Sequence, residues 1–306
     1  MDALETPLAT VGTTGSRETV SLEQYYSEAG PDYAAWSKAF NMHFGFFRWG
    51  MNAFRREAML EQMNREVLDR LRLDSQVPAS IVDLGCGLGA TLRSFARWLP
   101  LVQLTGITLV PWQVEQARAL NHDTLNHASA LGDRIDVVLG DYENSTIAPA
   151  SFDAAYALES SCHAHGADKH AFLREAHRLL KPGGRLVVAD GFLRRARAAS
   201  GLSARVYRKL CECWVIEELG QLDLFVHELE RLGFHSIVVE RLQLRVAPSV
   251  FHIPWVTLKF LMTDVVLGSR CMTRARWNNI IAPALLPLVG YPGGPMIYCM
   301  VTATKG

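Results

Sequence analysis

The stretch SIVDLGCGLGATLRSFARWL, Ser80 to Leu99, joins a short apolar strand to a helix through three glycines at alternate positions, Gly85, Gly87 and Gly89. Glycine lets the backbone turn sharply and approach a ligand with no Cβ in the way. A strand, a glycine turn and a helix N-terminus together make a nest of N–H donors. The spacing is G-x-G-x-G, so it is not the dinucleotide fingerprint G-x-G-x-x-G, and no Gly-Lys-Ser/Thr follows to make a phosphate loop. Asp83, directly before the glycines, repels a pyrophosphate but suits an ammonium group or the ordering of the loop. These features favour a nucleoside that carries an amino acid.

Outward from this loop the chain alternates. Strand VQLTGITL precedes a helix that opens at Pro111, where the missing N–H is not needed. IDVVLGD and FDAAYALES follow as strands. A helix over 168–180 is expected to end at KPGG, then comes strand GRLVVAD. A helix over 219–232, strand HSIVVERL and a last strand MIYCMVTATK complete the series. Strands alternating with helices imply βαβ units and a parallel sheet. Residues 1–20 read as a flexible N-terminus. Residues 21–75 read as a helical cap or substrate lid, including a helix from about 53 to 73. Residues 76–306 form the core, with an insert at 243–294. Such additions commonly cover the carboxyl edge of an open sheet, where ligands bind.

The chain has 306 residues, 49% hydrophobic and 20% charged, enough for a sizeable core and too apolar for disorder. Lys plus Arg equals Asp plus Glu, 31 each, so no global field draws a nucleic acid, and no nucleic-acid partner is expected. The six cysteines form no C-x-x-C pair, and residues 1–20 lack a signal-peptide pattern, which makes a cytoplasmic location the default. The tail Ile280–Val301 is apolar but cut by four prolines, and no transmembrane segment is expected. His163 and His165 have no third ligand at zinc spacing, so no metal site is expected.

The order of motifs carries a resemblance over about residues 80–240. IVDLGCGLG resembles motif I of the class I S-adenosylmethionine-dependent methyltransferases, GDYENSTIAPASFDAAYALES their next two sites, and LLKPGGRLVVAD their post-motif. This implies a Rossmann-like α/β sheet of seven strands, the last antiparallel, with a helical N-terminal cap and an insert before the last strand. It implies S-adenosylmethionine as cofactor, with Asp83, Gly85, Cys86, Gly87 and Gly89 at its methionine end. Asp141 then faces the adenine amino group and Tyr142 packs on the ring. The usual acid ending the second strand is here Thr108, within TGITLVPWQVEQA. That departure matches the narrower pattern of sterol, tocopherol and cyclopropane-type methyltransferases. Thr108 and Gln113 become the ribose-side candidates, with an exposed helix residue as the plain alternative for Gln113.

On the acceptor side, ESSCHA (Glu159 to Ala164) resembles a stretch of sterol C-methyltransferases, and DYAAWSKAFNMHFGFF resembles their substrate-capping stretch. The group implied is sterol-, prenyl- and terpenoid-methylating enzymes, and a small hydrophobic acceptor. Methylating an alkene carbon leaves a carbocation, which aromatic faces stabilise and a base must deprotonate. Glu159 is the candidate base. A plain cofactor-holding or capping role stays open for it. Tyr25, Tyr26, Trp36, Phe44, Phe47 and Trp214 are candidate cation-facing aromatics. His163 is the base of an alternative O- or N-methyltransferase, an orienting partner for Glu159, or a structural histidine, and His43 carries the same choice.

Arg194, Arg195, Arg197, Arg205, Arg208 and Lys209 cluster within Phe192–Leu210. They read as a solvated helix face or as a site for a prenyl diphosphate, with Arg208 as the substrate candidate. A divalent ion enters only if the acceptor is a diphosphate. The apolar insert Val246–Gly268 suits a terpenoid-lined wall or a homo-oligomer interface. Three other readings stand beside these: a cyclopropane synthase, a nicotinamide oxidoreductase that the glycine spacing opposes, and a non-enzymatic cofactor-binding protein.

Overall fold

β1 (Ala79–Leu84) buries its last four residues, as a central parallel strand covered on both faces must. The computed structural model describes residues 20–125, 132–194 and 201–306. The expected flexible N-terminus thus lies, but for Val20, outside the described residues, as do Arg195 and Arg197.

β2 (Val102–Thr108), β3 (Ile135–Leu139), β4 (Phe152–Leu158) and β5 (Leu180–Leu193) continue the parallel set. β6 (Phe234–Arg241) and β7 (Met296–Lys305) close it, with β7 antiparallel to both β5 and β6. The order is β3-β2-β1-β4-β5-β7-β6, seven strands with the last antiparallel, as the resemblance implied. Strand order reverses between β1 and β4, and the crevice at their carboxyl ends is where open α/β sheets bind ligands.

The helices are α1 (Leu22–Ala29), α2 (Tyr33–Trp36), α3 (Arg56–Leu71), α4 (Ala90–Trp98), α5 (Pro111–Leu125) and α6 (His170–Leu179). They continue as α7 (Leu202–Trp214), α8 (Leu222–Arg231), α9 (Gln243–Val250), α10 (Ile253–Phe260) and α11 (Arg274–Leu285). A π-helical turn, Leu261–Leu267, extends α10. Successive strand residues face opposite sides of the sheet. Val82 and Leu84 join Phe172 of α6 and Phe225 of α8 in one core. Ile81 joins Phe95 of α4 and Met63, Val67 and Leu71 of α3 in the other.

Two boundaries differ from expectation. α6 stops at Leu179, and β5 takes in Lys181–Gly184 as strand. A residue before proline avoids the helical region, so Pro182 ends the helix early. The region 21–75 also divides: α1 and α2 sit over the carboxyl edge, whereas α3 packs on the sheet. The apolar tail Ile280–Val301 is the end of α11, a short turn and β7. Among the described residues one helical run, Gln243–Leu267, is long and apolar enough to cross a membrane by length and composition.

Candidate active site

The glycine loop forms one wall of a cavity of about 80 Å³. Gly85 has φ 111°. A Cβ there would stand 2.4 Å from Cβ of Ser160, so only glycine fits. The Ser160 hydroxyl in turn donates to the Leu84 carbonyl at 2.6 Å. The glycine therefore makes room for the turn that follows β4 as well as for a ligand.

Asp83, Gly85, Cys86, Gly87, Thr108, Gln113 and Tyr142 line this cavity. Burial pushes the Asp83 carboxyl up to about 7, with Tyr156 beside it on β4. A bound ammonium group would favour its ionised form. Thr108 Oγ1 donates to Gln113 Oε1 at 2.6 Å, which leaves the Gln113 amide N–H groups without a partner among the described residues. Tyr142 packs edge-on against Phe172 and donates its hydroxyl to the Ser160 carbonyl at 2.9 Å. An acid, a hydroxyl–amide pair, an aromatic ring and a close-approach glycine turn fit S-adenosylmethionine's ammonium, ribose and adenine. Gly89 and Asp141 are not on the wall. Gly89 caps α4 with φ 71°, and the Asp141 carboxylate accepts the Glu143 N–H at 2.8 Å.

A second cavity, about 190 Å³, lies beside the first. Its walls come from α1, α2, α7, α10, α11, β7 and the loop after α2. Trp36, Phe44 and Trp214 line it, as do Tyr33, Phe260 and Tyr298. One end is polar. There Asp32 is held by Arg270 Nη2 at 3.1 Å and Arg276 Nε at 3.5 Å, with Asn279 alongside.

Five side chains line both cavities: Tyr26, Met42, His43, Glu159 and His163. Glu159 follows β4 directly and takes φ 53°, a strained value for a non-glycine residue. Its N–H donates to the Ala189 carbonyl at 2.9 Å, which pins the turn to β5. Oε1 accepts the Phe44 N–H at 2.7 Å and the Tyr298 hydroxyl at 2.8 Å. Oε2 accepts nothing from the described residues. Burial pushes this carboxyl up to about 8, more than the two hydrogen bonds lower it, and nearby Asp190 adds to the rise.

His163 pairs with Tyr26, Nε2 to hydroxyl at 3.0 Å, and not with Glu159. Its Nδ1 is buried without a hydrogen-bond partner among the described residues, with the Val215 backbone nearby. Burial lowers its pKa to about 4, so the ring is neutral at physiological pH. His43 is likewise pushed down to about 4 by burial. Its Nδ1 lies 2.9 Å from the Phe44 carbonyl and its Nε2 3.2 Å from Asn41 Oδ1, and the neutral ring donates to one of the two.

Three candidates for the acceptor side stand off both cavity walls. Tyr25 is fully buried in a small core with Ala29 and Ala275, and its hydroxyl donates to Asn279 at 2.9 Å; it lines neither cavity. The α1 geometry explains this, since adjacent helix residues point about 100° apart and Tyr26 takes the cavity side. Arg208 is exposed on α7 and lines neither cavity; Arg205 and Lys209 are exposed beside it. Phe47 packs edge-on with Trp49 and is also absent from the walls. Sequence reading missed Tyr298 and Asp190. Asp190 ends the quoted GRLVVAD strand, and its carboxylate accepts the Ser161 hydroxyl at 2.7 Å and the Cys162 N–H at 2.9 Å, bracing the turn that carries Glu159. Only its place at a strand's carboxyl end signalled it. Among the described residues no group of three metal-ligating side chains occurs.

Known proteins resemble this chain in sequence and fold. The family described as "Methyltransferase domain" matches residues 82–188. An O-methyltransferase of Penicillium expansum is 30% identical over 68% of this chain and 70% of its own length. The chain belongs to the class I S-adenosylmethionine-dependent methyltransferases. It is an enzyme of that class, and S-adenosylmethionine is its cofactor. A probable tocopherol O-methyltransferase of Oryza sativa subsp. japonica, named as chloroplastic, is 25% identical over 87% of the chain and 72% of its own length. The rice cycloartenol-C-24-methyltransferase 1 is 30% identical over 55% of the chain, and the match spans 45% of that protein. Two solved structures share the fold. The cyclase SpnF has a TM-score of 0.70 at 22% identity, covering 94% of this chain and 96% of its own. Geranyl diphosphate methyltransferase in complex with its diphosphate and sinefungin has a TM-score of 0.69 at 14% identity, covering 93% and 98%.

Proposed function

We propose that this methyltransferase methylates a largely apolar, terpenoid- or sterol-like acceptor at an alkene carbon, with Glu159 taking the proton that is then released. The observation that carries the reading is the position of Glu159 on the wall common to both cavities. S-adenosylmethionine, when bound, supplies an electrophilic methyl group. Everything else is the chain's own work. The apolar cavity excludes water and aligns the acceptor, which is how proximity lowers the barrier. Tyr26, Trp36, Phe44 and Trp214 present aromatic groups to a developing cation. The Phe44 N–H and Tyr298 hydroxyl hold Glu159 through Oε1 and leave Oε2 for the proton. A carboxyl group with a raised pKa is a stronger base once ionised, and a cation beside it favours that ionised form.

The polar end at Asp32, Arg276 and Asn279 supports an acceptor with one hydrogen-bonding group on an apolar body. A diphosphate finds little support, because Arg276 is already paired with Asp32 and Arg208 stands outside. A second reading, O-methylation with His163 as base, rests on that residue's unpartnered buried Nδ1. Its lowered pKa makes it the weaker proton acceptor of the two.

The test pairs two variants. Glu159→Gln is expected to lose turnover on a sterol and prenyl-phenol panel while binding S-adenosylmethionine as the wild type does. His163→Phe is expected to keep most of it. The reverse pattern rejects the carbon reading in favour of O-methylation.

A further inference from the structure

The wall of the acceptor cavity has a second, outward side. From Phe251 onward, Phe251, Trp255, Leu258, Met262 and Val266 recur every three or four residues, which sets them along one side of the helical run. They are 49–79% exposed. Ile253, Val256, Thr257 and Phe260 stand on the opposite side and line the cavity. The loop before α3 adds Trp49 and Phe54, 86% and 89% exposed. That loop is held against the run by the Phe47 N–H to the Arg245 carbonyl at 2.8 Å and by His252 Nε2 to the Ala53 carbonyl at 2.7 Å. An apolar patch of this extent marks a contact surface.

Charge selects what it contacts. Residues 243–294 hold Arg245, Lys259, Arg270, Arg274 and Arg276 against a single acid, Asp264; Arg270 and Arg276 are paired with Asp32 and Arg274 with Glu212, which leaves Arg245 and Lys259 without an acidic partner among the described residues. Residues 43–56 add Arg55 and Arg56, next to the exposed Glu57, and Arg48, which is paired with Glu66. A second copy of the same face would set cations against cations. An anionic lipid surface complements them. Large apolar and aromatic residues on one side with a basic fringe is the composition of a helix that lies in a bilayer interface. The run is long enough to span a membrane, but spanning would strip Ile253 and Phe260 from the cavity, whereas lying flat leaves that wall in place.

We propose that the outer face of α9, α10 and the π turn, with Trp49 and Phe54, docks on the surface of an anionic lipid bilayer. A lipophilic acceptor would then lie on the other side of one helix from its solvent. The contact itself is tested without acceptor, so its failure and that of the acceptor reading are separate results.

The experiment is co-sedimentation of the full chain with vesicles of phosphatidylcholine alone and of phosphatidylcholine with an equal part of phosphatidylglycerol. Binding is expected to the anionic vesicles, weaker by about tenfold to the neutral ones, and lost by about tenfold or more in Phe251→Ser/Trp255→Ser. Unchanged S-adenosylmethionine affinity shows that the double variant is folded. Should it not fold, Arg55→Glu/Lys259→Glu serves instead, with a severalfold loss expected on the anionic vesicles alone. Three results overturn the proposal: no sedimentation with either vesicle, wild-type sedimentation by a folded variant, or a wild-type dimer that the apolar variant converts to monomer.

Discussion

The cofactor cavity takes most of its wall from short consecutive stretches at the carboxyl ends of β1, β2 and β4, whereas the acceptor cavity draws on five helices and β7, spread from Tyr26 to Tyr298. The first is made of backbone turns and a few polar side chains. The second is made of apolar and aromatic side chains that meet only when the chain has folded. They share a wall at Tyr26, Met42, His43, Glu159 and His163. The difference teaches where change is tolerated. A local, backbone-built site breaks at a single glycine, while a composite side-chain cavity can be reshaped residue by residue without loss of the fold.

Four substitutions sharpen or break that contrast. The largest effect is expected for Gly85→Val. Its φ of 111° and the 2.4 Å approach to Ser160 leave no room for a side chain. Calorimetric affinity for S-adenosylmethionine should fall by about 100-fold or more, a strain cost of roughly 3 kcal/mol. Wild-type affinity would mean that the loop is not what holds the cofactor.

Glu159→Gln comes next, with kcat falling by about 10²-fold, the lower end of what a positioned general base contributes. The pH dependence carries the sign. Burial raises this carboxyl to about 8, so the active, ionised fraction of the free enzyme grows as pH rises. The acid limb of kcat/KM should therefore lie near pH 8, far above an ordinary carboxylate, and vanish in the variant. A limb at pH 4–5, the range of an unperturbed Glu, would contradict the site's burial.

Tyr298→Phe removes one donor from Oε1, and with it an influence that lowers the Glu159 pKa. The limb should shift to higher pH and kcat should drop by about five- to tenfold, the worth of an ordinary hydrogen bond of about 1 kcal/mol. The smallest effect is expected for Arg208→Ala. It should leave turnover within about twofold, as exposed surface positions usually do. A large rise in KM there would restore the anionic-acceptor reading of the α7 cluster.

The same contrast explains what was legible in the sequence. SIVDLGCGLG, Thr108 and Gln113 were readable because their partners lie within a few residues or on the adjacent strand end. The seven strands followed from apolar runs punctuated by glycine and proline. Glu159 was readable as the residue after an apolar strand. Tyr25 and Tyr26 were indistinguishable, since a dipeptide does not tell which ring a helix turns toward the cavity. Arg208 stayed ambiguous because a run of cations looks alike whether it faces solvent or substrate. Tyr298 was missed because its role depends on β7 lying between β5 and β6, a pairing across 139 residues from Glu159 that no local pattern carries.

The fate of a labelled methyl group shows whether the two cavities meet at a carboxylate base. Wild type and Glu159→Gln are incubated with methyl-labelled S-adenosylmethionine and a panel of sterols, prenyl phenols and prenyl alcohols, and the product is located by NMR. Label is expected on a former alkene carbon in the wild type and none in the variant, with cofactor affinity unchanged. Label on oxygen, formed equally by both proteins, would contradict the role of Glu159 as base.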